Sequence, residues 1–234
     1  MTGIGGGSLM TPLLILVFKI SPPVAVATDL FFAGVTKLVG TVEYTRKKLV
    51  DWKISSFMWL GSIPASLATV AIIPENGEFV VTIQKVLSFA LLLTGTVIFL
   101  RPKISRWVHN RKNILKYRSI LLVLFGALLG VLVTLSSVGA GALGLAVLAV
   151  LFPERRMTEL VGVDLAHTVI LSFVAGLGHL AVDHVNFQLL GLLLIGSLPG
   201  VWLGSRLNWR LNERWIAAVL LLVGGWLAYA TCLR

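Results

Sequence analysis

Apolar segments of about 20 residues recur along the whole chain, and they constrain its fold more than any other sequence feature. Hydropathy distinguishes nine apolar segments, of which two are shorter than the others. They cover approximately residues 8–18, 23–42, 54–73, 80–100, 119–136, 141–152, 158–181, 187–205 and 214–232. A helix of about 20 apolar residues spans the hydrocarbon core of a bilayer, which is about 30 Å thick. The sequence therefore predicts an all-α polytopic membrane protein.

The composition excludes a soluble globular protein. Of 234 residues, 57% are hydrophobic and only 13% are charged, whereas soluble domains carry about 25% charged residues. The net charge of +10 does not indicate nucleic-acid binding, because the basic residues cluster in short loops between apolar segments. The single cysteine, Cys232, excludes an internal disulfide and a cysteine-based metal cluster.

The distribution of basic residues predicts the orientation in the plasma membrane. The connection 101–118 contains seven Lys or Arg residues and no acidic residue, so we expect it to be cytoplasmic. Successive connections alternate between the two sides of the membrane on either side of 101–118. This alternation makes the basic stretches in 43–53, 155–156 and 206–214 cytoplasmic as well, and it makes 74–79 and 182–186 external. Lys19 is the exception.

The two halves of the chain repeat. At an offset of 135 residues Asp29 matches Asp164, and Gly61-Ser62-Ile63-Pro64 matches Gly196-Ser197-Leu198-Pro199. The orientation above places matching loops on opposite sides, which predicts inverted repeats. The repeats would be 1–100 and 119–234, joined by the basic linker 101–118. The first repeat would lack a helix equivalent to segment 119–136: either the start at Met1 is downstream of the natural one, or the protein does without that helix.

Two short segments, 8–18 and 141–152, directly follow glycine-rich stretches, and we interpret them as broken or re-entrant helices. Where a helix restarts, its free N–H groups and positive dipole end favour an anion. Hydroxyl groups of Ser8, Ser136 and Ser137 could add donors. The alternative is that the glycines only permit close helix packing. The predicted substrate-binding residues are Gly5, Gly6, Gly7, Ser8, Lys37, Ser137, Gly139, Ala140 and Gly141.

Four of the ionisable residues inside the predicted spans are candidates for a functional role, because charge there is costly and usually functional. Asp29, Asp164 and His167 are candidates for coupling transport to a proton or cation. Each has an alternative: either aspartate could cap its helix, and the histidine could be a polar packing residue. Lys37 could attract the substrate or pair with Asp29, or it could extend to the cytoplasmic interface.

The sequence contains no nucleophile–base pair, phosphate-binding loop or zinc motif. His179, Asp183 and His184 form one polar cluster at a helix end, which is insufficient for a metal prediction. We therefore predict no enzyme activity, cofactor or metal.

Several motifs resemble those of the TauE/SafE family of sulfite exporters, and the resemblance covers nearly the whole chain. In the first half they are Gly3-Ile4-Gly5-Gly6-Gly7-Ser8-Leu9, Pro12-Leu13-Leu14, Ala27-Thr28-Asp29-Leu30, Thr36-Lys37-Leu38-Val39-Gly40, Val50-Asp51-Trp52 and Gly61-Ser62-Ile63-Pro64. The second half has Gly139-Ala140-Gly141 and Gly196-Ser197-Leu198-Pro199-Gly200. The resemblance implies transport of sulfite, thiosulfate or an organosulfonate across a prokaryotic plasma membrane.

Two features depart from that family's pattern. A hydrophobic helix usually precedes the first glycine motif there, and the second break here reads Gly-Ala-Gly instead of a glycine run. The sequence thus predicts a secondary transporter of a small sulfur-containing anion, working by alternating access. An anion channel and a non-transporting assembly subunit are the alternatives.

Overall fold

The computed structural model describes residues 7–72, 78–109, 117–139, 141–181, 185–207 and 213–232. Within these ranges the chain forms nine α-helices and no β-strand. The helices are α1 (Gly7–Leu16), α2 (Pro22–Arg46), α3 (Trp52–Ile72), α4 (Glu78–His109), α5 (Arg118–Ser136), α6 (Ala142–Leu151), α7 (Met157–Ala181), α8 (Phe187–Leu207) and α9 (Glu213–Cys232). The all-α polytopic prediction is confirmed.

Helix lengths follow the hydropathy of the sequence. Helices α2, α3, α4, α5 and α7 each contain a stretch long and apolar enough to cross a bilayer. Helices α1 and α6 have only 10 residues each, as their short apolar segments predict. The prediction of a linker over 101–118 needs one correction, because α4 continues as a helix to His109. Ile104, Trp107 and Val108 recur there at helical spacing among basic residues, a pattern typical of a helix at a membrane surface.

The helix boundaries repeat with the same offset as the sequence motifs. Helices α6, α7, α8 and α9 each begin 135 residues after α1, α2, α3 and α4, respectively. The first three pairs also have equal lengths of 10, 25 and 21 residues. Both halves therefore contain the same series of elements.

The matching helices α2 and α7 cross each other in antiparallel orientation. A methyl group added at Gly34 would lie 3.2 Å from the Phe173 ring, and one added at Gly176 would lie 3.1 Å from the Phe31 ring. The two rings pack edge to face, with centroids 6.3 Å apart. If a two-fold axis relates the halves, matching helices run antiparallel only when that axis is perpendicular to them. An inverted repeat requires this arrangement. Inversion of the complete halves stays a prediction.

Helices α3, α5 and α7 pack side by side in the same direction. Small residues bring α3 and α5 together: a side chain at Gly61 would overlap the Val123 carbonyl, and one at Gly126 would overlap the Met58 carbonyl. Glycines at helix contacts in membranes allow this backbone approach. The start of α3 and the start of α7 lie at one end of the bundle, because Arg155 Nη2 and Asp51 Oδ2 are 3.0 Å apart.

Helix α6 turns back along α5. Arg118, the first residue of α5, forms an ion pair with Glu154 just after α6, and its guanidinium lies 4.9 Å from the Phe152 ring centroid. Near the middle of α5, Leu129 contacts the start of α6 at Gly144. Ten helical residues extend about 15 Å and nineteen about 28 Å, so α6 begins about half-way along α5. This is the predicted re-entrant arrangement.

Candidate functional site

The chain between α5 and α6 passes through the interior of the bundle. Ser137 ends α5 in the left-handed conformation with φ 55°, and Gly139 and Gly141 have φ of 103° and 106°. Residues 136–139 and 141–146 are all buried. Irregular backbone at membrane depth occurs only where protein or a cavity surrounds it, so this break belongs to an interior site.

The carboxylate of Asp164 lies against the start of α6. Asp164 is 2% exposed, and its carboxylate lies beside the backbone N–H of Gly141. A side chain at Gly144 would overlap Oδ1 of Asp164. A carboxylate is favoured at this position because the first N–H groups of a helix have no intrahelical partner and carry a positive partial charge.

The carboxylate of Asp29 has a different donor. The hydroxyl of Thr11, on α1, donates to Oδ2 of Asp29 at 2.6 Å. The Ser137 hydroxyl faces the same carboxylate, although it makes no hydrogen bond of regular geometry with any described residue. Asp29 is completely buried, so the two short helices and the two aspartates form one interior cluster.

The ammonium group of Lys37 interacts electrostatically with both Asp164 and Asp29. Lys37 is half-buried and lies two turns after Asp29 on α2. Its electrostatic partners are thus the two interior carboxylates, as one of its sequence-based interpretations proposed, and its role in substrate binding stays a prediction.

His167 lies one turn after Asp164 and is completely buried. Its Nε2 is 3.0 Å from the Ser62 hydroxyl on α3, and its Nδ1 has no hydrogen-bond partner among the described residues. Neighbouring hydroxyls of Thr168 and Ser172 on α7 also lack partners there. Helix α7 therefore carries a row of buried polar atoms with free hydrogen-bonding capacity.

The predicted site residues are distributed unevenly over the described structure. Gly5, Gly6 and Ala140 lie outside the described residues, as do Asp183 and His184. Gly7 and Ser8 form the first turn of α1, and the Ser8 side chain is likewise outside them. Gly139, Gly141, Ser137, Lys37, Asp29, Asp164 and His167 are all at or beside the α6 break.

The aspartates do not cap their own helices. Each is the eighth residue of its helix, beyond the first turn. Sequence reasoning missed their actual neighbours Thr11, Gly144 and, for His167, Ser62. The only sequence signal was that Ser62 belongs to the repeated Gly-Ser-x-Pro motif. Among the described residues there is no group of three His, Cys, Asp or Glu arranged for a metal ion.

The arrangement can exchange charge within a membrane interior. It combines two carboxylates, one ammonium group, a buried imidazole and the positive end of a short helix. Intramembrane ionisable groups that face one another in this way mark substrate or ion pathways.

Comparison with known proteins agrees with this interpretation. Residues 1–230 match the family model described as Sulfite exporter TauE/SafE. The chain is 34% identical over 237 residues to the probable membrane transporter protein YjnA of Bacillus subtilis (strain 168), covering 96% of this chain and 92% of YjnA. It is 24% identical over 259 residues to the probable membrane transporter protein YunE of the same organism, covering 97% and 91%.

No solved structure matches the chain significantly. The family match and the relative YjnA both indicate a multi-pass transporter of the plasma membrane and not an enzyme. With almost its full length matched, the chain belongs to the sulfite exporter TauE/SafE family.

Proposed function

We propose that this protein is a secondary transporter that moves a small sulfur-containing anion by alternating access. The observation that carries the proposal is the buried cluster of Lys37, Asp29 and Asp164 beside the re-entrant start of α6. Anions bind at helix N-termini, and Lys37 supplies a compensating positive charge. Gly139, Gly141 and Ser137 would form the backbone of the substrate site.

The substrate class is inferred from family membership. The family's description names sulfite export, and an inorganic or short organic sulfur anion fits a site built from helix N–H groups and one ammonium group. The antiparallel crossing of α2 and α7 supports alternating access, because inverted repeats can exchange conformations across a midplane site.

Reconstitution distinguishes a carrier from the alternatives. The purified chain in liposomes is tested with labelled sulfite, thiosulfate, taurine, sulfoacetate and sulfate. A carrier shows saturable uptake and counterflow, in which unlabelled anion inside accelerates entry of labelled anion. A channel shows neither property, and an assembly subunit shows no flux by itself. Absence of flux for every sulfur anion would contradict the proposal.

The Lys37 ammonium provides the residue-specific test. Lys37→Met removes the positive charge from the cluster, and we expect uptake to fall at least tenfold; Lys37→Arg retains the charge and should retain part of the activity. Lys47→Gln is the matched control, because that lysine is exposed and pairs with the exposed Glu43. Exposed pairs of this kind contribute little, so the control should transport normally.

A further inference from the structure

The Asp164 carboxylate occupies the place that a substrate anion would take. It lies beside the Gly141 N–H and against the Cα atom of Gly144, so a resident negative charge already occupies the positive end of α6. Two buried polar atoms beside it have no partner among the described residues: Oδ1 of Asp164 and Oγ of Ser137. Among the described residues the Ser137 hydroxyl is therefore a donor without a partner, available to an anion that takes the place of the Asp164 carboxylate.

The charge balance makes simultaneous occupation unfavourable. Lys37 on α2 interacts with both Asp164 and Asp29, His167 lies one turn after Asp164 on α7, and α6 has no ionisable side chain. With both carboxylates ionised and Lys37 charged, the cluster has one excess negative charge. A further anion at the start of α6 would be repelled by Asp164 at close range in a medium of low dielectric constant.

We propose that Asp164 is a tethered competitor for the anion site, and that the substrate binds only when Asp164 has taken up a proton and left the start of α6. This inference rests on the proposed function. A proton from solvent is transferred to a carboxylate oxygen of Asp164, and the Gly141 N–H passes from that carboxylate to the substrate. A monoanion such as ethanesulfonate enters with one proton and leaves the charge of the cluster unchanged, whereas a dianion such as thiosulfate adds one negative charge.

Proton uptake on binding is the direct test, and it needs no variant. The purified wild-type protein in weakly buffered detergent solution is titrated with ethanesulfonate and with thiosulfate, with a pH-indicating dye present. Both probes stay ionised between about pH 5.5 and 8. We expect about one proton taken up per anion bound, and an affinity that rises up to about tenfold for each unit by which the pH falls.

Removal of the carboxylate should abolish this dependence. Asp164→Asn leaves the Gly141 N–H available at every pH, so we expect anion binding without proton uptake and with a flat pH profile. Glu43→Gln is the control, because it neutralises an exposed carboxylate on α2 and should keep the wild-type pH dependence. If Asp164→Asn cannot be purified, the wild-type proton count decides alone.

The outcomes separate this inference from the proposed function. Anion binding by the wild-type protein without proton uptake overturns the competitor role and leaves sulfur-anion transport intact. If the anion affinity of Asp164→Asn still rises as the pH falls, the competitor role is likewise overturned and sulfur-anion transport is left intact. If the wild-type protein neither binds nor transports a sulfur anion at any pH in this range, both conclusions fall.

Discussion

Asp29 and Asp164 occupy matching positions in the two halves, but they have different hydrogen-bond donors. Asp164 faces a backbone N–H at the start of α6, whereas Asp29 accepts from the side chain of Thr11 within α1. The residue that matches Thr11 at the offset of 135 is Ala146, which has no hydroxyl group. The two carboxylates are therefore not equivalent, and Asp29 is the one with a fixed side-chain partner.

The Thr11 hydroxyl gives a prediction at the residue scale. Thr11→Val keeps the volume but leaves the buried Asp29 carboxylate without its donor, which should cost about 1–3 kcal/mol. We expect a lower unfolding temperature and reduced uptake in liposomes. Thr11→Ser restores the donor and should recover most of both properties. Equal behaviour of the Val and Ser variants would show that the 2.6 Å hydrogen bond does not matter.

At the scale of helices, hydropathy predicts the elements well and their rotations poorly. The boundaries of α2, α3 and α7 lie within a few residues of the predicted spans, because the number of apolar residues needed to cross a bilayer sets helix length. The neighbours of His167 and Asp29 could not be predicted, since a serine or threonine in a membrane helix gives no sequence sign of its partner. That partner depends on how each helix is rotated in the bundle.

The helix pair α3 and α5 gives the second prediction. A side chain at Gly126 overlaps the Met58 carbonyl, which is rigid backbone, so Gly126→Val must push the helices apart. We expect a loss of about 1–3 kcal/mol in stability, measured as a lower unfolding temperature in detergent. Gly225→Val on α9 is the control, because nothing lies within 4 Å of a Cβ atom there. Similar destabilisation by both variants would contradict close α3–α5 packing as the cause.

At the scale of the whole molecule, the C-terminal end of α2 and the N-terminal ends of α5 and α7 meet at one end of the bundle. Asp51 and Arg118 both contact the connection between α6 and α7, through Arg155 and Glu154. Three of the stretches that sequence analysis assigned to the cytoplasm, 43–53, the end of 101–118 and 155–156, are thus neighbours in the structure. The membrane orientation of that end, and the inversion of the halves, are open to direct measurement.

Lys53 and Gln188 test both points, because they are exposed residues at the starts of α3 and α8 and are separated by the repeat offset of 135. Each is replaced by cysteine in a Cys232→Ser background, which has no other thiol. A membrane-impermeant maleimide should label Gln188→Cys in intact cells and Lys53→Cys only after permeabilisation. Repeats related without inversion place both positions on the same side, so identical labelling of the two variants would exclude the inverted arrangement. Labelling of Lys53→Cys alone in intact cells would instead keep the inversion and reverse the orientation, because the basic loops around α3 would then face outward.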